Sequence, residues 1–464
     1  MLTAGLSRSV YFSLHRLIGS QLAKYYREFL ALEGQSAAQV AQLRHQRLGK
    51  LLAHASANVP FYQQRVPART DFQLGDFPVL SKEDIRQDFQ NLMSPEVRLE
   101  YASGKSQRAY SWVPVQTGGS TGMPTTVIHD WEFRDFSRAA RLYTQYLCGF
   151  PIGTPYFKLW GSMREINDAK ASRQQRVASF LAGEIILNAF KMDDADIDSY
   201  VETINESSVE HIMAYSDAAY QAAKRILESR RPVRTLKSVM ACAGTLSQEM
   251  RDTISRAFGN ARVQNMYGSR DCGAMACECR QGSFHVFENK VLLETVNLQG
   301  QAVPTGQPGR ILVTLLSNYG FPLIRYDIGD VGVFSEKACT CGIPTRLLER
   351  VEGRSIEFLV TASGGYISPI YFRHLIGVVH NPGVIRRFQI VQYAQDRVVL
   401  SREKESGVTE AAIASAVENI RRDLMAVFGP KMSLQIDFVN RIEESASGKF
   451  ISSVNRMGQL STQQ

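Results

Sequence analysis

Three glycines and three hydroxyl side chains share the six positions 117–122, as Thr117, Gly118, Gly119, Ser120, Thr121 and Gly122. Glycine lets the backbone take positive φ and come close to a ligand, and hydroxyls and bare N–H groups are donors to phosphate oxygens. Apolar residues flank the stretch, with Tyr110, Trp112, Val113 and Val115 before it and Val127 and Ile128 after it. This pattern predicts a loop joining two buried strands. Thr125 and Thr126 stand where a Walker loop would carry lysine, and no G-x-G-x-x-G opens a helix here. By itself the stretch reads equally as a surface turn.

Further along, an aromatic ring and a carboxylate emerge together from one predicted strand end in Met-Tyr-Gly-Ser-Arg-Asp at 266–271, which holds Tyr267, Gly268 and Asp271. Ile-Arg-Tyr-Asp-Ile-Gly-Asp at 324–330 places Asp330 after the turn glycine Gly329, and Asp327 is expected to cap that turn. A carboxylate accepts two hydroxyl hydrogen bonds at once, which suits a ribose diol. Lys449 lies in a Ser/Gly-rich tail between Gly448 and Phe450. A flexible loop lets one ammonium group reach a distant phosphate.

Five of the seven cysteines are grouped as Cys272, Cys277, Cys279, Cys339 and Cys341, with His285 between the groups. Cys-Thr-Cys-Gly at 339–342 is similar to half of a zinc knuckle. A tetrahedral Zn²⁺ site from Cys279, His285, Cys339 and Cys341 is expected, with Cys277 as the substitute ligand and free buried thiols as the alternative. Cys148 and Cys242 read as core residues.

These groups need a large scaffold, and 464 residues suit one large domain and a smaller one. Residues 1–95 read as helical. After the glycine-rich loop, a helix is predicted over 131–147, then short apolar runs at 156–161, 185–187, 212–215 and 239–244, with helices at 217–229 and 247–258. That alternation implies an α/β fold whose mostly parallel sheets are covered by helices, and ligands then bind at the C-terminal strand ends. The loop, Gly244 and Thr245, and the 267–271 stretch each follow a candidate strand. From Val286 the pattern becomes β-rich. A boundary is expected at 352–355, giving a large domain over 1–353 and a small α+β domain over 354–464.

The formal charge of +8 suits anionic partners, but it is spread along the chain and does not predict nucleic-acid binding. No apolar run is long enough for a transmembrane segment, and the sequence start lacks a signal peptide's apolar core, so a cytoplasmic protein is expected. Residues 7–27 mix Arg8, Arg16, Lys24 and Arg27 with Tyr11, Phe12, Leu14, Leu17 and Ile18. Such a segment is read as either a membrane-peripheral or partner helix, or an amphipathic helix packed on the core.

Taken in order, the glycine-rich loop, the 266–271 and 324–330 stretches, Glu-Gly-Arg at 352–354, Gly-Gly-Tyr-Ile-Ser-Pro at 364–369 and Ser-Gly-Lys-Phe at 447–450 resemble the adenylate-forming superfamily of acyl-CoA synthetases. The likeness is to its phenylacetate-CoA ligase and CapK-like branch, and it extends from about residue 51 to the tail. The resemblance implies an AMP-forming ligase that uses ATP, Mg²⁺ and CoA on a small carboxylic acid. It assigns adenine stacking to Tyr267, the magnesium ion to Asp271, the ribose to Asp330 and Arg354, and the catalytic ammonium to Lys449. Glutamate is usual where Asp271 stands, and an acidic pair usually follows Gly-Arg-Ser, where this chain has Ile356 and Glu357. Transfer to an acyl-carrier protein or an amine stays open as an alternative acceptor. So does a degenerate nucleotide-binding member acting as an interaction protein, and so does a homodimer.

Overall fold

The computed structural model describes residues 3–67, 69, 71–104, 112–116, 125–160, 173–189, 194–354, 359–361, 366–367, 372, 375–376, 385–404, 409–429, 431–439, 441–442 and 452–457. The predicted helical N-terminal region is present as helices Ala4–Leu17, Leu22–Leu30, Ala37–Asn58, Pro60–Gln63 and Lys82–Gln87. Local chemistry fixes their starts. Ser36 and Gln39 form a capping box, as do Ser81 and Asp84, and Pro60 occupies the first turn of its own short helix, where its missing N–H costs nothing.

The glycine-rich stretch is framed by an antiparallel hairpin, β1 (Trp112–Gln116) and β2 (Thr126–Asp130), paired from Trp112–Asp130 through Gln116–Thr126. Of the two flanking strands predicted to be buried, only β2 is largely so. β1 is partly exposed, because a two-stranded ribbon can bury only the side that packs on the body.

A single eleven-stranded sheet organises the main body, in spatial order β10-β11-β12-β13-β9-β8-β7-β6-β5-β3-β4. Its parallel half comprises β3 (Tyr156–Trp160), β4 (Glu184–Asn188), β5 (His211–Tyr215), β6 (Ser238–Cys242) and β7 (Arg262–Ser269). The antiparallel half comprises β8 (Gly273–Glu278), β9 (Phe284–Val286), β10 (Val291–Val296), β11 (Gly309–Leu315), β12 (Tyr326–Phe334) and β13 (Leu347–Arg354). The β-rich region is therefore continuous with the parallel part. The two halves meet at β7–β8, where the chain reverses at once instead of crossing over through a helix.

Helices Trp131–Leu147, Ser216–Ser229 and Gln248–Ala257 lie where the periodicity predicts. Asp130 starts the first of them: its Oδ1 accepts from Phe133 N at 2.8 Å, while Oδ2 accepts from Gly320 N at 2.8 Å. Asn318 closes the same junction by donating to Ile128 O at 2.9 Å and Phe321 O at 2.8 Å. One buried carboxylate and one amide thus lock the hairpin against the antiparallel half. Burial raises the Asp130 pKa to about 6.

Beyond β13, the described residues form a strand pair, Leu359–Val360 with Tyr366–Ile367, and a four-stranded sheet. That sheet contains Ile385–Ala394, Arg397–Lys404, Ser433–Val439 and Ser453–Asn455, and helix Glu410–Phe428 contributes Ile413, Ile420 and Leu424 to a separate core.

Candidate active site and metal centre

Two tyrosine–carboxylate bonds link the 266–271 stretch to the 324–330 stretch. Tyr267 Oη donates to Asp330 Oδ2 at 2.9 Å, and Tyr326 Oη donates to Asp271 Oδ2 at 2.6 Å. Residues 55–63 positions apart in sequence are thereby crossed, each tyrosine serving the other motif's acid. Burial and the adjacent Asp271 carboxylate push the Tyr326 hydroxyl far above its ordinary pKa, so it stays a donor.

Asp271 is 3% exposed and sits in the turn between β7 and β8. That turn is held from three sides. His129 Nε2 lies 2.8 Å from Asp271 O, Lys290 Nζ donates to Cys272 O at 2.6 Å, and Gly273 takes φ +64°. A β-carbon at Gly273 would run into Ser137 Oγ, so glycine is needed for space as well as for φ. Lys290 is fully buried over the Phe133 ring, 4.8 Å from its centroid, and burial lowers its pKa to about 7. Burial likewise lowers His129 to about 4, which keeps the ring neutral.

Asp330 faces Arg354 across the β12–β13 ladder, so the register brings the two candidate ribose residues opposite one another. Asp327 caps the turn as predicted, accepting from Gly329 N at 3.0 Å and from Arg310 Nη1 at 2.6 Å. Arg325 adopts a left-handed φ of 50° and is held there by Glu294, Phe77 O and Gly300 O. A strained non-glycine residue persists when its surroundings over-determine it.

At the C-terminal end of β6, Ala243 is also left-handed, with φ 57°, and Gly244 and Thr245 follow it on the surface. Ser216 Oγ donates to Cys242 O and Gly244 O at 3.3 Å, tying this loop to the Ser216–Ser229 helix. A cavity of about 560 Å³ opens beside it, lined by Tyr215, Asp217 and Ala243 among others. Trp160 and Tyr215, at the ends of β3 and β5, have ring centroids 4.1 Å apart. All of these lie at the C-terminal strand ends, as a parallel sheet requires of a ligand site. Thr117, Gly118, Gly119, Ser120, Thr121, Gly122, Ile356 and Lys449 lie outside the described residues. Sequence reading missed Tyr326, His129 and Lys290. Lys290 left no trace of its burial, because it closes the polar triplet Glu288, Asn289 and Lys290, which reads as a turn between apolar runs.

The second constellation is the predicted cysteine cluster. One ligand atom from each of Cys279, His285, Cys339 and Cys341 falls within 4.8 Å of the other three. The Sγ atoms of Cys279 and Cys339 are 3.7 Å apart, and Cys341 Sγ lies 3.2 Å from His285 Nε2. Gln281 N and Ile343 N point at Cys279 Sγ and Cys341 Sγ, at 3.4 and 3.5 Å, as backbone amides do around a thiolate. His285 Nδ1 is 3.1 Å from Thr345 Oγ1, which fixes the ring, and burial lowers its pKa to about 4, so Nε2 keeps a lone pair. Cys277 is not the substitute ligand. It is fully buried in the core beside Cys148 and lies outside the four-residue cluster.

Three comparisons bear on identity. Residues 359–456 match the family model of the CapK C-terminal domain. Over 446 residues the chain is 22% identical to Protein CapK of Staphylococcus aureus, covering 93% of this chain and 92% of that one. It is 28% identical over 151 residues to phenylacetate-coenzyme A ligase of Thermus thermophilus, covering 31% of this chain and 33% of the other. The chain is a homologue of CapK and phenylacetate-CoA ligase. Its fold is shared with 2-hydroxyisobutyryl-CoA ligase. The open conformation of that enzyme gives a TM-score of 0.64 at 16% identity, covering 90% of this chain and 92% of that one, and a postadenylation state gives 0.58 at 18% identity. Such solved acyl-CoA ligases of the adenylate-forming superfamily have the same mixed α/β architecture, with a large sheet-bearing body and a small C-terminal unit. Among the described residues, no helix is long and apolar enough to cross a membrane.

Proposed function

We propose that this protein is an AMP-forming acid–thiol ligase. A carboxylate oxygen of a small acid attacks the α-phosphorus of ATP and pyrophosphate leaves. The thiol sulfur of CoA then attacks the acyl carbon, and AMP departs with the bond electrons while the thiol proton passes to solvent. The observation that carries this reading is the crossed pair of tyrosine–carboxylate bonds, which assembles an aromatic face and two buried acids beside the strand ends.

In this reading the Tyr267 ring stacks on the adenine while its hydroxyl orients Asp330. Asp330 then receives the ribose hydroxyls together with Arg354. Residues 117–122 and the loop at Gly244 and Thr245 enclose the phosphates and the base, and Trp160 and Tyr215 form an aromatic wall for the acid. A magnesium ion brought by the nucleotide would be held through one or two protein carboxylates. Asp271 fits that demand, since the Tyr326 bond occupies Oδ2 and leaves Oδ1 aside from it. When bound, the ion neutralises phosphate charge. The chain's own residues position the reactants: Lys290, His129 and Gly273 hold the turn that carries Asp271, and Lys449 places an ammonium group at the α-phosphate and the attacking carboxylate.

The domains that serve this chemistry are a body over 1–353 and a mobile unit over 354–464, whose alternation would bring Lys449 in and then admit the thiol. The three thiols and imidazole of the second constellation suit a closed structural Zn²⁺ site. The protein would work in the cytoplasm. The deciding test is pyrophosphate release from ATP across a panel of carboxylic acids, followed by thioester detection with CoA. Acid-dependent release with thioester formation supports the reading, and no release with any acid despite ATP binding would leave a nucleotide-binding protein instead.

A further inference from the structure

The first 27 residues contain Arg8, Arg16, Lys24 and Arg27 and no aspartate or glutamate. The nearest acid in sequence, Glu28, is already held by Arg47 at 2.7 Å. Helix Ala4–Leu17 packs inward through Ser7, Tyr11 and His15, spaced four residues apart on one face. The adjoining face is apolar yet open to solvent. Leu6 is 50% exposed and Leu17 82%, and at 3.6 residues per turn Leu14, also exposed, lies beside them. Ile18 continues the strip past the helix end.

The surface does not stop at this helix. Helix Arg173–Ala182 packs against it and leaves Phe180 62% exposed, with Val177 one turn before it also exposed. A row of large apolar side chains on the outside of a folded body marks an interaction site. The basic residues select the partner. Arg8 and Arg16 stand on the helix's remaining exposed side, and Lys24 and Arg27 are exposed on the next helix, Leu22–Leu30. An apolar strip bordered by exposed cations, where the Asp135 carboxylate beside it is buried and accepts from Ser20 Oγ and Gln21 N, matches an anionic bilayer surface, into which leucine and phenylalanine insert while arginine and lysine meet lipid phosphates.

We propose that the face formed by helices Ala4–Leu17 and Arg173–Ala182 is a peripheral docking surface for anionic lipid bilayers. It is independent of the ligase reading and uses no residue of the candidate active site.

The test is co-sedimentation of the full chain with phosphatidylcholine vesicles, with and without phosphatidylglycerol, at low and high salt. Binding that requires phosphatidylglycerol and weakens with salt is expected. Replacing Arg8 and Arg16 by glutamine should reduce it roughly fivefold per residue. The double variant Leu14→Glu, Leu17→Glu should abolish it. Both leucines are exposed, so the thermal midpoint should be unchanged, and circular dichroism checks this. Equal binding to both vesicle types, no binding to either, or full binding by the leucine variant would overturn the proposal. So would a dimeric mass in light scattering that the leucine variant lowers without any vesicle binding, which would make the face a contact between two copies.

Discussion

The hydroxyl of Tyr267 donates to Asp330 Oδ2 over 2.9 Å, joining the residue placed at the adenine to the residue placed at the ribose. One bond therefore couples base and sugar recognition. Asp330→Ala should weaken ATP binding at least about tenfold, since a lost hydrogen bond to a charged group costs roughly 1.5–3 kcal/mol. Tyr267→Phe keeps the ring and should cost less. Calorimetric titration with ATP separates the two, and unchanged affinity in Asp330→Ala would remove that residue from the nucleotide site.

The Tyr326–Asp271 bond is the buried counterpart. In Tyr326→Phe the carboxylate loses its donor while remaining 3% exposed. Unfolding in urea should show a loss of about 1–3 kcal/mol, the cost of an unsatisfied buried acceptor. The magnesium concentration needed for half-maximal pyrophosphate release should shift as well. A stability loss with an unmoved magnesium dependence would make Asp271 a structural acid.

Lys290 sets a pH dependence. Burial lowers its pKa from 10.5 to about 7 in the folded chain. Between those two values the unfolded chain binds the proton that the folded chain has released, so stability rises with pH across that window. Below about pH 7 both states are protonated and the burial penalty is present in full. Lys290→Met should flatten the rise, measured as the chemical denaturation midpoint against pH. A slope that persists in the variant would assign the effect to other groups.

Cys279, His285, Cys339 and Cys341 predict about one zinc ion per chain, since a closed Cys₃His set binds one. Elemental analysis of protein purified without a metal-binding tag measures it. Replacing both Cys339 and Cys341 by serine should remove the ion and lower the melting temperature, because binding energy at such a site is folding energy. Stoichiometric metal in the double variant would show that the ion lies elsewhere.

Lys449→Ala should abolish acyl-adenylate formation yet leave conversion of a supplied acyl-adenylate to thioester within about tenfold, because only the first step uses that ammonium group. Single-turnover measurement of each half-reaction tests it. Equal loss in both halves would make Lys449 a structural residue.

Sequence alone determined the periodic elements, because burial of one face writes itself into the spacing of apolar residues. The helix Trp131–Leu147 and the strands at 156–160, 211–215 and 238–242 were legible for that reason, and so was the four-ligand cysteine cluster, whose residue types have few other uses together. What only the tertiary structure decided is which distant residues meet. The crossing of Tyr267 to Asp330 and Tyr326 to Asp271 depends on strands β7 and β12, which lie four ladders apart in one continuous sheet. The exclusion of Cys277 from the metal cluster depends on its packing in the core beside Cys148, and the burial of Lys290 on the turn that receives its ammonium group. Each is a long-range contact between groups whose local sequence carries no mark of the partner, so spacing along the chain has nothing to report about it.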